Sequence, residues 1–337
     1  MKISIRDISA MTGYSPATVS NALNHKKGVN KETAEEILRI ARETGYISET
    51  SITKIKLVIF RKNGSIIDDT PFFSSLINGF EQECRRYHYE MVICNVDQRD
   101  SDYERQVLNL ITESGSAAVV LATEMQEGDL EIFKKAVCPL LIMDHWDEHM
   151  EFNSVLINNS DAARMATEYL IEKGHKQIGY IRGSYRIKGF HSRFVGYQTA
   201  LRKNKLEYQE KYTFTVTPNL QGAYQDMKGY LESAADLPTA FFADNDLMAL
   251  GAMKALQEKG YRIPDDVSVV GFDDLPFSEI SSPRLTTLRV PNTEMGKVAV
   301  RRIADMIEGR DEIVVKTQVC TKFVVRETVK DMNLNIK

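Results

Sequence analysis

From Ile55 onward the chain alternates short apolar runs with amphipathic stretches. The runs are Leu57–Phe60, Met91–Cys94, Ala117–Ala122, Leu140–Met143, Ile178–Ile181, Ala240–Ala243 and Val267–Phe272. Such near-continuous runs fit strands covered on both faces, as in a parallel sheet. Between them, Leu76–Tyr87, Tyr103–Glu113, Ala162–Lys173, Arg193–Asn204 and Leu247–Lys259 space their apolar residues as helices do. This alternation predicts an α/β fold of doubly wound parallel sheets, with ligands received at the carboxyl ends of strands. Residues 55–330 are too many for one such sheet, so two lobes around a cleft are expected.

The beginning of the chain has another period. Ser4 reads as a helix cap with Asp7 three residues on, and Ile5, Ile8 and Met11 form one apolar stripe. Gly13 falls in a turn, and Ser15-Pro16 restarts a helix. Val19, Ala22 and Leu23 then face inward, leaving Pro16, Ala17, Thr18, Ser20, Asn21 and Asn24 outside. A third helix follows from Asn30, with Ala34, Ile37, Leu38 and Ala41 at helical spacing and a stop at Gly45. Three short helices bury little, but they suffice to present one helix to a major groove. The pattern alone fits a small helical cap equally well.

Charge permits the groove reading without proving it. The chain has 337 residues, 43% of them apolar, and a net charge of −4. Residues 1–54 carry eight Lys/Arg against six Asp/Glu, a net of +2, which leaves −6 on the rest. That headpiece is weakly basic, so tight binding calls for two headpieces together. No apolar signal core or membrane-length stretch appears, and a cytoplasmic protein with no membrane partner is expected. Cys84, Cys94, Cys138 and Cys320 are scattered and read as buried reduced thiols. His145 and His149 with Asp144, Asp147 and Glu148 superficially suggest a metal cluster, but a strand end and loop spoil the spacing. No metal, no cofactor and no catalytic residue set is expected; phosphate loops and nucleophile elbows are absent.

The wording of the chain narrows these possibilities. Ile5-Arg6-Asp7-Ile8, Thr12-Gly13-Tyr14-Ser15, Ala17-Thr18-Val19-Ser20, Leu23-Asn24, Val29–Thr33 and Gly45-Tyr46 resemble, in order, the DNA-binding headpiece of the LacI/GalR repressor family. The resemblance extends through Pro71-Phe72-Phe73, Gly174–Tyr180, Asp244–Gly251, Pro264–Val267, Gly271–Asp274 and Leu285-Thr286-Thr287. It implies a helix-turn-helix headpiece over 1–46 and a shortened linker over 47–54. Two lobes of the type I periplasmic-binding-protein kind follow over 55–330, and a tail over 331–337. The N-lobe would take about 55–159 and 290–319, and the C-lobe about 160–289 and 320–330, with crossings near Asn159, Arg289 and Cys320.

The same resemblance implies an effector-responsive regulator, a repressor of sugar or carbohydrate utilisation genes. Its partners would be a palindromic operator in double-stranded DNA, a second copy of the chain and a small effector. A nucleobase or another non-sugar metabolite is the alternative effector. A solute-binding module and an enzyme are the weaker readings. Pro16, Ala17 and Asn21 would face bases, and Ser15, Thr18 and Asn24 phosphates, with Ser20 on the same outer face. The family commonly has arginine where Asn21 stands, and asparagine prefers adenine over guanine. In the cleft, Arg193, Asn245 and Asp273 match the family's effector-binding types. Asp144, Trp146, Phe72 and Phe73 are placed by their loops. Phe72 reads equally as core, Trp146 as the cover of a lobe edge, and Asp246 as the cap of the helix at Leu247. Ile47–Lys54 lacks the family's leucine-bearing hinge helix, so little kinking of the operator is expected. A dimer surface is expected from Phe72–Tyr87 and Thr293–Ile307. No heptad tail for a tetramer follows Lys330.

Overall fold

The structure is a computed structural model that describes residues 3–23, 29–44, 46, 52–68, 71–310 and 313–335. The expectations for Asn24, Gly45 and Ile47–Ser51 lie outside the described residues. The chain divides into two compact units, the first spanning residues 1–53 with a short piece at 114–116, the second the remainder.

In the first unit, α1 (Ile5–Thr12), α2 (Pro16–Leu23) and α3 (Lys31–Glu43) surround one small core. Ser4 and Asp7 form a reciprocal capping box, which satisfies two of the four free amides at the start of α1. Gly13 closes α1 with a left-handed φ of 76°, where a side chain would be strained. Asn30 caps α3 through Thr33 N–H at 2.7 Å. Ile8, Val19, Ala22, Ile37 and Ala41 are buried together. Met11 departs from the expected stripe and is 54% exposed. Leu38 is only half-buried, because the apolar stripe of α3 runs through Ile37 and Ala41.

The second unit opens with β1 (Lys54–Arg61), α4 (Phe72–Arg86), β2 (Glu90–Asp97), α5 (Tyr103–Thr112), β3 (Ser116–Leu121), β4 (Leu140–Met143) and β5 (Asn153–Ile157). It continues with α6 (Asn159–Glu172), β6 (Ile178–Gly183), α7 (Lys188–Lys203), β7 (Thr213–Val216), α8 (Leu220–Glu232), β8 (Ala240–Ala243), α9 (Asp246–Glu258) and β9 (Ser268–Val270). Last come α10 (Pro276–Ile280), β10 (Thr287–Arg289), α11 (Asn292–Ile307), β11 (Lys316–Val319) and β12 (Lys322–Val324). The first sheet has the order β11-β5-β4-β3-β1-β2, and the second β7-β6-β8-β9. Strand pairing is parallel throughout the second sheet, and at β1–β2, β3–β4, β4–β5 and β5–β11 of the first. β10 pairs antiparallel with β12.

The chain therefore leaves the first sheet after β5, returns after β10 to place α11 and β11, and leaves again for β12. Helices pair on the sheets, α4 with α11, α6 with α7 and α8 with α9, each through a glycine. The segments expected to form a dimer surface thus pack on each other along one side. Ser74, Ser75 and Asn78 remain exposed on the outer side of α4.

Four cysteines are free; Cys84 is buried, Cys94 and Cys138 are half-buried, and Cys320 is exposed, so the expectation of four buried thiols fails there. Cys320 lies between β11 and β12, where no layer covers the chain. Among the described residues no helix is long and apolar enough to cross a membrane.

Candidate effector cleft and DNA-facing helix

Between the two sheets lies a narrow cleft lined by side chains of both lobes. It receives six of the seven expected effector residues: Phe72, Phe73, Asp144, Arg193, Asn245 and Asp273. The carboxyl ends of β4, β8 and β9 and the starts of α4 and α9 deliver most of them, as a doubly wound sheet requires.

Asp144 follows β4 with a left-handed φ of 60°, held by its N–H to the Val155 carbonyl at 2.9 Å. Its Oδ2 accepts from the Thr123 hydroxyl at 2.8 Å. Burial raises the Asp144 carboxyl to about 6, against the pull of that hydroxyl and of Arg193. Asp273 follows β9 with φ 114°, its N–H on the Leu288 carbonyl at 2.8 Å. Burial pushes its carboxyl well up, and the charge of Arg193 opposes this. Two carboxylates on strained backbone at strand ends mark a site rather than a core.

Arg193 sits inside α7, not at a helix start as the sequence suggested, because α7 begins five residues earlier at Lys188. It is buried between the lobes. Nε donates to Asn159 Oδ1 at 2.8 Å, Nη1 to the Asp244 carbonyl, and Nη2 faces Asp273 Oδ1 at 3.6 Å. The guanidinium lies over the Phe272 ring, 3.6 Å from its centroid.

Asn245, not Asp246, caps α9: its Oδ1 accepts from Met248 N–H at 2.9 Å, leaving the amide nitrogen toward the cleft. Asp246 is buried behind it and accepts from Leu275 N–H, Ser278 Oγ and Thr287 Oγ1 at 2.8, 2.6 and 2.6 Å. That wiring joins α9, α10 and β10 into one floor under the cleft. Phe72 and Phe73 meet edge to face with ring centroids 5.1 Å apart and form part of the wall.

Trp146 stays outside the cleft. Lys188 Nζ lies 5.0 Å from its ring centroid and Lys316 Nζ 4.4 Å, so the lone tryptophan covers a lobe edge between two cations. His145 beside it is buried, its imidazole pushed down to about 4 by desolvation, whereas His149 is exposed.

Sequence reasoning missed much of the lining: Thr123, Ile66, Ile187, Phe190 and Pro218. Phe190 carried a signal, one helical turn before Arg193. Pro218 and Ile66 sit on loops without one. Ile66 is held by Glu124, a buried carboxylate accepting the amides of Lys62, Asn63, Gly64, Ile66 and Ile67 at 2.7–3.1 Å. The Glu124 carbonyl accepts from Tyr185 Oη at 2.7 Å, and Gln126 Nε2 donates to the Arg186 carbonyl at 2.8 Å. These bonds join the lobes at the cleft rim.

On the headpiece, Ser15, Pro16 and Ala17 are exposed, and Thr18, Ser20 and Asn21 half-exposed, all on α2 or its cap. The Ser15 hydroxyl accepts from Thr18 N–H at 3.1 Å and meets Thr18 Oγ1 at 2.8 Å, so it caps α2. Tyr14 Oη donates to Glu36 at 2.9 Å and ties the turn to α3.

Residues 4–49 match the bacterial regulatory proteins of the lacI family, and residues 167–329 a periplasmic binding protein-like domain. The HTH-type transcriptional repressor PurR of Vibrio atlanticus (strain LGP32) is 30% identical, over 98% of this chain and 99% of its own. The PurR of Haemophilus influenzae (strain PittEE) is 29% identical, over 97% and 99%. Among solved structures, the complex of the transcriptional regulator CelR with cellobiose is 26% identical, with a TM-score of 0.74 over 97% of this chain and 99% of that one.

Proposed function

The chain belongs to the lacI family of bacterial regulatory proteins, and from that premise we propose a repressor whose operator affinity is set by a small metabolite in the cleft. It is a DNA-binding transcriptional repressor and not an enzyme. The observation that carries the effector reading is the convergence of Asp144, Arg193, Asn245 and Asp273 on one cleft beside the Phe72–Phe73 pair. Carboxylates and an arginine fork grip adjacent hydroxyls, and the aromatic pair supplies an apolar ring face. A sugar is the first reading, and the cellobiose complex of CelR supports it. A nucleobase is the second, favoured by the relatives named PurR.

Two copies of the chain would place two α2 helices on the halves of a palindrome. Pro16, Ala17 and Asn21 face bases, Asn21 selecting adenine, and Ser15 and Thr18 reach phosphates from their capping positions. An effector must bind the operator-competent and operator-incompetent states unequally, or it changes nothing. Gel shifts on upstream DNA, with and without panels of sugars and purine bases, test the reading. A shift altered by one panel supports it; a chain that shifts no DNA under any condition sinks it.

A further inference from the structure

Among the described residues the charged side chains that line the cleft are three: Asp144, Arg193 and Asp273, a formal net of −1. The single cation is already engaged, by Asn159, by the Asp244 carbonyl and by the face of Phe272. Its remaining nitrogen looks at Asp273 across 3.6 Å. Asp273 is 9% exposed, and its Oδ1 has no hydrogen-bond partner. Asp144 spends Oδ2 on Thr123.

The neighbouring cations are committed elsewhere. Arg186 pairs with Asp244, Lys188 bonds the Trp146 carbonyl at 3.0 Å and Glu148 at 3.1 Å, and Lys62 holds Asp129 at 2.7 Å. None of the three lines the cleft. At the start of α9 the Asn245 side chain takes the Met248 amide, and Asp246 adds a negative charge to the first turn.

We infer that the cleft selects an uncharged effector rich in hydrogen-bond donors and rejects the phosphorylated or carboxylated forms of that same compound. The inference rests on the reading of this cleft as the effector site. Hydroxyl or N–H donors would satisfy the open Oδ1 of Asp273 and bond the Asp144 carboxylate that shares the lining. A phosphate would bring a further negative charge to two carboxylates in a low-dielectric pocket, with one shared arginine to offset it. Burial raises the Asp273 carboxyl, Arg193 opposes it, and the nearby carboxylates Asp246, Asp144 and Asp244 add to the rise.

The test is isothermal titration of the full chain with glucose, galactose, cellobiose, hypoxanthine, guanine, inosine and guanosine, each sugar and nucleoside paired with its phosphate monoester. For whichever neutral compound binds, its phosphate should bind at least about 100-fold more weakly. Asp144→Asn should weaken the neutral compound about tenfold or more and narrow that gap. If nucleobases bind and sugars do not, the sugar reading fails and this inference stands. A phosphate ester that binds as tightly as its parent overturns the inference and leaves the cleft as the effector site. A second measurement is independent of effector identity. Inorganic phosphate should raise Tm no more than chloride at equal ionic strength; a saturable rise that Arg193→Met abolishes overturns the inference.

Discussion

Asp246 gathers three donors from three separate elements onto one buried carboxylate. Removing the carboxylate would leave Leu275 N–H and the hydroxyls of Ser278 and Thr287 to find other partners in a dry interior. Asp246→Ala should cost about 3 kcal/mol or more, read as a fall in Tm, and Asp246→Asn less, because an amide oxygen keeps one acceptor. Asp144 makes a different statement. Its folded carboxyl titrates near 6, above the ordinary 3.8. The native state therefore holds the proton more tightly. The stabilisation it gives is complete below pH 4 and lost as pH rises through 6. In thermal melts, Tm of Asp144→Asn minus Tm of the unmodified chain should grow more positive from pH 4 to pH 7. A flat difference would contradict the burial of that carboxyl. Arg193, Asn245 and Asp273 were legible through the family resemblance, and Arg193 and Asp273 also because arginine and aspartate in apolar surroundings need partners. The capping role of Asn245 was not, since Asn245 and Asp246 are adjacent and equally good caps. Only the backbone direction decides between them.

At the scale of elements, the helix pairs meet at glycines. A Cβ at Gly196 of α7 would run into the Ser160 carbonyl of α6; one at Gly79 of α4 would strike Thr293 of α11. Gly196 stands one turn after Arg193. Gly196→Ala should therefore push α7 off α6 and carry the guanidinium with it. We expect a destabilisation of about 2 kcal/mol or more, together with a loss of effector affinity beyond that of a surface Ala substitution, measured by titration. The seven apolar runs read as strands all contain strands. Those overlooked, β5, β7, β10, β11 and β12, are short, and several sit at edges or carry polar residues such as Lys316, Thr317 and Gln318. Half-covered strands lack the continuous apolar signature of central ones. The start of α7 was misplaced for a related reason, since α7 opens with Lys188-Gly189, poor markers of a beginning, and α8, behind its Asn219 cap, was overlooked altogether.

For the molecule as a whole, order along the chain and order in space diverge. The first sheet takes its edge strand β11 from near the carboxyl end, and α11 packs on α4 across more than two hundred intervening residues. Local periodicity could indicate that two large sheets exist; it could not place β11 at the edge of the first and β12, only two residues further on, beside β10. The resemblance in the chain's wording bridged that gap, since it reports on the whole topology at once. Three backbone segments run between the sheets, after β5, after β10 and after β11. Proteolysis has a distinctive outcome in such a molecule. A protease that nicks one connection leaves two intact, so the digest should show separate fragments on denaturing electrophoresis yet elute undivided from a gel-filtration column. No single cut sets the halves free.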